Sequence, residues 1–415
     1  MTWNRGSWIR RACVFILVIQ AIRAFLYPLT ASVDDIGPDG ATYLRWAADI
    51  GREPFPWVSV GTASSTLLYC IVLSIVKGLF ADSILAARVL NLFFYLVILW
   101  GTFDLVRRIG GDRMAWIATA SLSLDDLFIF IKYVQYELLF TLLTLIALRF
   151  TLTCLGAAFN VFDRRNGGSK GPQDPSGDAI DHFAFVRLSL AAGAAFGLSF
   201  LTQSKVVFLP ACLLGCALIC NRSSGRSRIR AVVWVALLIH LSMALVGGFW
   251  PWRNYRTTGR FLLSSGLASL HLFLGNNPFA NGTLCYPPEG YKAPPPGLGP
   301  DEIEAHYRRL AIRFVVERPF DAICVLVPRK FYHLFELFRP RNVLWLALMV
   351  AGVGIMVRRH RAWEWMCLAT VVFYIVMVHA ALYGWGRYRF PALPAFHAFV
   401  GLALVELRLR VWLPG

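Results

Sequence analysis

Charge is scarce in this chain. Only 16% of its 415 residues are Asp, Glu, Lys or Arg, where a water-soluble domain carries about 25%. Acidic residues are the scarcer sign, 24 against 41 basic, for a net charge of +17. No Cys-x-x-Cys pair occurs, which excludes the common structural zinc modules. Eight of the nine cysteines sit in apolar runs, and Cys285 lies in a polar loop without an obvious partner, so a secreted disulfide scaffold is excluded too. The histidines are scattered, with His240, His271, His306, His333, His379 and His397 showing no ligand spacing; no metal can be argued from them. No internal repeat is visible, which weighs against an inverted-repeat transporter.

Apolar residues take the place of charge. They make up 57% of the chain, and mean hydropathy is +0.57. That excludes intrinsic disorder. A charge of +17 on a soluble protein would suggest nucleic acid, but here the basic residues punctuate apolar segments and form no single stripe. No nucleic-acid partner is expected. The pattern predicts an all-α polytopic membrane protein.

A spanning helix needs about 20 mainly apolar residues. The runs 11–30, 86–106, 114–131, 138–156, 184–202, 205–220, 231–249, 342–357, 363–383 and 390–406 meet or approach this, giving about 10 transmembrane helices. An eleventh run, 64–80, decides the parity of everything after it. If it does not cross, one side collects 18 Lys and Arg in its short segments and the other side 7. If it crosses, 107–113, 221–230 and 358–361 move outside, against the positive-inside rule. The sequence therefore predicts that 64–80 is interfacial or re-entrant and that both termini are cytoplasmic, in a multi-pass protein of the plasma (inner) membrane. The first 30 residues are expected to remain as an uncleaved first span. Three regions follow: a transmembrane module 1–249 with a first external loop 31–83, a large external loop 250–341, and C-terminal spans 342–415. The polar stretch 157–182 reads as a disordered internal linker.

Five constellations carry chemistry-bearing residues. In the first external loop, Asp34, Asp35 and Asp39 precede Tyr43, Trp46, Ala47 and Ile50 at helical spacing, with Asp39 placed as a helix N-cap. The alternative there is a solvated acidic loop with an aromatic anchor. Asp125-Asp126 interrupts an apolar run, and Glu137 starts the next; carboxylates at such places face a cavity or a partner, the latter being Lys132 or an Arg of a neighbouring helix. At the end of the seventh span, Arg253 and Arg256 flank Asn254 among aromatics, either as an interfacial belt or as a phosphate grip. Arg387 and Arg389 precede Pro391 and Pro394 on the external side, and Lys205 is a lone external cation between two spans. Finally, 303, 307, 310, 311, 314 and 315 form one apolar face of a surface-lying helix that Pro319 ends.

At these residues the chain resembles the polytopic lipid-linked-sugar transferases of the glycosyltransferase-C fold. It is most similar to bacterial members of glycosyltransferase family 39, related to protein O-mannosyltransferases and aminoarabinose transferases. Asp39-Gly40-x-x-Tyr43-x-x-x-Ala47 matches an Asp-Glu-x-x-Tyr-x-x-x-Ala pattern of that family, with Gly40 in place of the Glu; Asp34 or Asp35 could fill the second acidic role. Ala86-Ala87-Arg88-x-x-Asn91 looks like the start of the family's second span, and Glu137 like a Glu at the start of its fourth. Lys205 stands near a place where such proteins often have Arg. Arg253-Asn254-Tyr255, Asn276-Asn277, Tyr307 and Lys330 resemble its long-loop signature, and Arg387-Tyr388-Arg389-Phe390-Pro391 its last-helix motif.

The resemblance implies transfer of a sugar, with inversion, from a polyprenyl-phosphate-linked donor to a lipid, glycan or protein acceptor on the external face. Such a reaction needs a base or orienting carboxylate at the acceptor hydroxyl and cations at the leaving phosphate. It assigns Asp39 as the catalytic carboxylate, with Glu137 or Asp126 as the second acid. Tyr43, Asn276 and Asn277 are its substrate-side contacts, and Lys205, Arg253, Arg256, Arg387 and Arg389 its phosphate-side cations. No cofactor is certain, and a divalent metal is possible; membrane lipid is a partner. The rival reading from the same charges is a transporter or lipid flippase without transferase activity.

Overall fold

The structure, a computed structural model, describes residues 5–32, 34–52, 66–80, 82–165, 175–263, 268–360 and 362–412. They are built from sixteen α-helices and short 3-10 and π segments, with no strand among them. Nine helical segments of the described residues are long and apolar enough to cross a membrane. They match nine of the ten runs read from the sequence.

The first is α1 (Arg5–Thr30). It leads into a loop and two short helices, α2 (Gly40–Arg52) and α3 (Leu67–Leu79), which pack on each other. Asp82 then caps α4 (Ser83–Gly110), its carboxylate accepting from the amides of Ile84 and Leu85 at 3.0 and 2.9 Å. At the start of α4, Arg88 donates to the carbonyls of Ala31, Ser32 and Lys132. The end of α1 and the start of α4 therefore lie on one face of the bundle, and the excursion between them returns to where it began. A helix of 13 residues reaches about 20 Å, short of the roughly 30 Å hydrocarbon core. The described part of 64–80 does not cross, as the charge pattern predicts.

The tenth run is the one that departs from a single helix. Residues 114–131 form α5 (Asp112–Ser123), a turn at Leu124-Asp125, and a 3-10 segment, Asp126–Ile131. The Asp125 carboxylate accepts from the amide of Asp126 at 2.7 Å, which competes with continued helix and starts the 3-10 turn. The run still crosses. It begins at Gly111, at the far end of α4, and finishes beside Asn91, whose amide donates to the Tyr133 carbonyl at 2.6 Å.

Helices α6 (Glu137–Arg165) and α7 (Pro175–Thr202) follow, the latter packing tightly on α9 (Arg226–Gly247). A Cβ on Gly193 would sit 2.3 Å from the Ile239 carbonyl oxygen, so only glycine permits this approach. The expected linker 157–182 is narrower than its polarity suggests. Ala158, Phe159 and Val161 continue the buried side of α6, and α7 is already helical at Pro175.

After α8 (Leu209–Asn221) and α9, the chain forms α10 (Phe249–Thr258), α11 (Ala268–Gly275), α12 (Pro300–Glu317) and α13 (Val327–Leu334). α12 is the expected surface helix: the Glu302 carboxylate accepts from the Gly299 amide at 2.8 Å, Ala311 and Phe314 are buried, and the helix stops just before Pro319. The last spans are α14 (Pro340–Ile355), α15 (Trp363–Ala381) and α16 (Leu393–Trp412), with a 3-10 segment Gly386–Ala392 leading into α16.

Candidate active site

Residues 348 positions apart meet on the bundle face that carries Arg88. Asp39 stands at the start of α2, its carbonyl accepting from the Tyr43 amide. Its carboxylate accepts from Arg387 Nη1 at 2.8 Å. The same nitrogen lies 3.4 Å from Glu137 Oε1, at the start of α6. One guanidinium thus sits between two carboxylates supplied by two different helix starts.

The two carboxylates are in unlike surroundings. The Asp39 side chain is 38% exposed, whereas that of Glu137 is 2% exposed. Neither Glu137 oxygen has a hydrogen-bond partner in the described structure, and Arg387 Nε has none either. A buried carboxylate left without hydrogen bonds is costly to hold. Its compensation here is the Arg387 charge.

Aromatic rings frame the guanidinium. Its carbon lies 4.2 Å from the centre of the Trp385 ring and 5.3 Å from that of Tyr388. Lys205, in the 3-10 turn Ser204–Val206 after α7, places Nζ 3.8 Å from the Tyr388 ring centre. His379 stacks on Tyr388 at 4.8 Å. Tyr43 and Tyr136 meet edge to face, and Gln203 donates to the Tyr136 hydroxyl at 2.7 Å. Burial raises the pKa of both phenols, so they stay protonated and can donate.

The loop holding Arg387 is anchored from outside the spans. Lys330, buried in α13, donates to Asn276 Oδ1 at 2.8 Å and to the Ala380 carbonyl at 3.0 Å. Burial lowers its pKa to about 8. The Asn276 amide donates to Leu272 and Ala381, both at 2.8 Å. Gly384 passes so near Lys330 that a Cβ would lie 1.9 Å from the lysine's carbonyl oxygen. Asn277 works more locally: its amide donates to Phe273 and Leu274, and its Oδ1 accepts from the Phe279 amide. Asn276 and Asn277 thus shape the loop wall.

Four other sequence candidates have surroundings of their own. Asp126 is paired with Arg341 at 2.6 Å and with Arg339. Arg389 is paired with Asp125 at 3.1 Å and Glu336 at 3.4 Å. Together with His397, 3.2 Å from Asp125, they form a second, separate ion cluster. The pairing of Asp125 and Asp126 is with Arg residues of neighbouring elements; Lys132 pairs with Asp35 instead. Arg253 is buried beside Trp250 and Asn254, while Arg256 is exposed one turn on. Tyr388 belongs to the Arg387–Pro391 motif read from the sequence, whereas Trp385, His379 and Gln203 are framing residues that the sequence does not single out; the aromatic density around Gly384 is the only signal for Trp385. Among the described residues, no group of three or more His, Cys, Asp and Glu is arranged to hold a metal.

No protein-family model and no curated protein matches this sequence. Solved structures do match. One is ArnT from Cupriavidus metallidurans bound to undecaprenyl phosphate, at 14% identity and a TM-score of 0.60, covering 96% of this chain and 61% of that one. Another is the oligosaccharyltransferase AglB from Archaeoglobus fulgidus, in complex with an inhibitory peptide and a dolichol-phosphate, at 13% identity and a TM-score of 0.54, covering 99% of this chain and 52% of that one. The chain therefore spans about three fifths of the length of the first and half of the second. At these identities the likeness is one of fold: this chain has the glycosyltransferase-C fold.

Proposed function

We propose that this protein is a membrane glycosyltransferase that moves a sugar from a polyprenyl-phosphate-linked donor to an acceptor hydroxyl, with inversion, on the external face. The observation that carries the reading is the convergence of Asp39 and Glu137 on Arg387. Two solved structures of the same fold contain lipid phosphates, undecaprenyl phosphate in ArnT and dolichol-phosphate in AglB.

The division of labour follows from exposure. Asp39 is open enough to accept a proton from an acceptor hydroxyl; Glu137 is too buried to meet one. Asp39 therefore acts as base or orienting carboxylate, typically worth about 10²–10⁴-fold. Glu137 fixes Arg387. As the anomeric carbon–oxygen bond breaks, negative charge grows on the lipid phosphate. The Arg387 guanidinium and the Lys205 ammonium stabilise that charge, and they do so strongly because the surroundings are apolar. Attack by the acceptor oxygen opposite the leaving phosphate inverts the anomeric centre. Trp385, partly exposed and lying against the Arg387 guanidinium, suits the apolar face of a sugar ring.

The test is cleavage of the donor. Purified protein is incubated with radiolabelled polyprenyl-phosphate sugar, and release of polyprenyl phosphate is followed by chromatography. A transferase produces it and labels the acceptor. A flippase moves the intact donor across a vesicle and leaves the sugar–phosphate bond whole, and that outcome would overturn the reading.

A further inference from the structure

The bundle face opposite the site carries a cavity of about 280 Å³ that the proposed transfer does not use. It lies between the start of α1, the end of α4 and the start of α5. Its lining is Ile9, Arg10, Phe103, Arg107, Asp112, Arg113 and Trp116. Three guanidinium groups face one carboxylate. Phe103 and Trp116 pack at 4.7 Å, with Arg10 over the Trp116 ring at 5.7 Å and Arg107 over Phe103 at 5.9 Å. Neither Arg10 nor Arg113 has an ion-pair partner among the described residues. Arg107 shares Asp104 with Arg108 and Arg149, so its charge is only partly neutralised. The N-terminus of α5 points here too, with Gly111 supplying no side-chain cap.

The helices that bring these arginines also bring apolar tracks. On α1, Arg10, Val14 and Val18 stand at four-residue intervals and share one stripe, and both valines are exposed. On α4, Arg107, Phe103, Trp100 and Phe93 stand four, seven and fourteen residues apart on another stripe, with Trp100 67% and Phe93 57% exposed. Both stripes run from the cavity along the outer surface of spanning helices. A cationic cavity at a helix end that continues into exposed apolar stripes matches a molecule with an anionic head and apolar tails. A free anion would have no use for the stripes, and in a choline or ethanolamine head the ammonium offsets the phosphate, so it gains less from the excess positive charge than a net-anionic head.

We propose that this cavity binds the phosphodiester head group of an anionic phospholipid, with its acyl chains along the exposed stripes of α1 and α4. The site is distinct from the Asp39–Arg387 cluster and does not rest on the transferase reading.

The test uses purified full-length protein in detergent, equilibrated with equal amounts of phosphatidylglycerol and phosphatidylcholine and examined by native mass spectrometry. The phosphatidylglycerol-bound to phosphatidylcholine-bound ratio should exceed one. It should fall roughly tenfold or more in the Arg10→Gln/Arg107→Gln/Arg113→Gln variant, since each basic group near an anionic surface is worth several-fold. It should hold in Arg222→Gln/Arg226→Gln/Arg230→Gln, which removes three exposed arginines elsewhere on the same face. The ratio is internal to each protein, so a less stable variant still reports; if the triple variant does not fold, Arg113→Gln alone should lower it several-fold. Three outcomes overturn the proposal: an unchanged ratio in the cavity variant, equal losses in both triple variants, or abolition of the preference by millimolar inorganic phosphate.

Discussion

Two ion clusters lie near each other in the chain and differ in how completely they are paired. Around Arg389, each carboxylate of Asp125, Asp126 and Glu336 has at least one cationic partner among Arg389, Arg339 and Arg341. His397 meets the Ser121 hydroxyl at 2.9 Å. Around Arg387, Asp39 is partly open to solvent and neither Glu137 carboxylate oxygen has a hydrogen bond; an unpartnered guanidinium Nε does not tell the clusters apart, since Arg341 has one as well as Arg387. Saturated charge holds the 3-10 segment Gly386–Ala392 against the bundle. Unsaturated charge keeps capacity for a substrate. On the proposed function, the difference separates structural from working residues in a way that residue type alone cannot, since both clusters are Arg and carboxylate.

Removing Arg389 tests the saturated cluster most severely. Arg389→Leu leaves Asp125 buried without its guanidinium, and breaking a buried pair costs about 3–5 kcal/mol. A large fall in the melting temperature is expected in detergent, and a protein of wild-type stability would mean the cluster is not structural. Asp125→Asn should also be destabilising, because Arg389 loses its nearest carboxylate and His397 loses a carboxylate partner, although Glu336 still faces Arg389.

The same exchange in the open cluster should behave otherwise. Glu137→Gln removes a buried charge whose oxygens have no hydrogen bonds to lose, and Arg387 keeps Asp39 as a partner, so the melting temperature should fall much less than in Asp125→Asn. Activity should fall, as Arg387 loses a fixing charge. A drop in stability as large as that of Asp125→Asn would erase the distinction between the clusters.

Arg387→Lys keeps the charge but loses the planar fork and its stacking on Trp385. Donor turnover should drop about tenfold to a hundredfold, in the range of a lost charge-stabilising donor, with little change in melting temperature. Unchanged turnover would show that a point charge suffices there.

Lys330 sharpens the comparison as an intermediate case, a buried cation whose acceptors, Asn276 and Ala380, are neutral. Its folded pKa of about 8 lies below the ordinary lysine value. The unfolded chain thus binds more protons between pH 8 and the ordinary lysine range near about 10.4, and stability should rise with pH across that window. Lys330→Met should flatten that slope in melting curves; a slope that persists would place its origin elsewhere.

Much of this architecture is legible in the sequence. Apolar run length marks the spans, and the arginines of 107–113, 221–230 and 358–361 set the parity that keeps 64–80 from crossing. The helix at Asp39–Tyr43–Ala47 follows from its apolar spacing. The break in 114–131 is less legible, because it depends on Asp125 taking a neighbouring backbone amide. The separation of Arg387 from Arg389 is not legible at all. Both lie in one short motif, but in a 3-10 turn of three residues, positions two apart point about 120° apart. One side chain reaches Asp39 and the other reaches Asp125. The partners Arg339 and Arg341 come from the start of α14, over 200 residues from Asp126 in sequence, where spacing carries no signal.

The central claim is that Asp39 acts on the acceptor while Arg387 and Lys205 hold the donor phosphate. The most direct measurement compares wild type and Asp39→Asn, with donor binding and sugar transfer measured separately on the same purified preparations. The account predicts donor binding close to wild type and transfer reduced by about 10²–10⁴-fold, with Asp34→Asn and Asp35→Asn much less affected. Asp39→Asn protein that transfers sugar at the wild-type rate would contradict it.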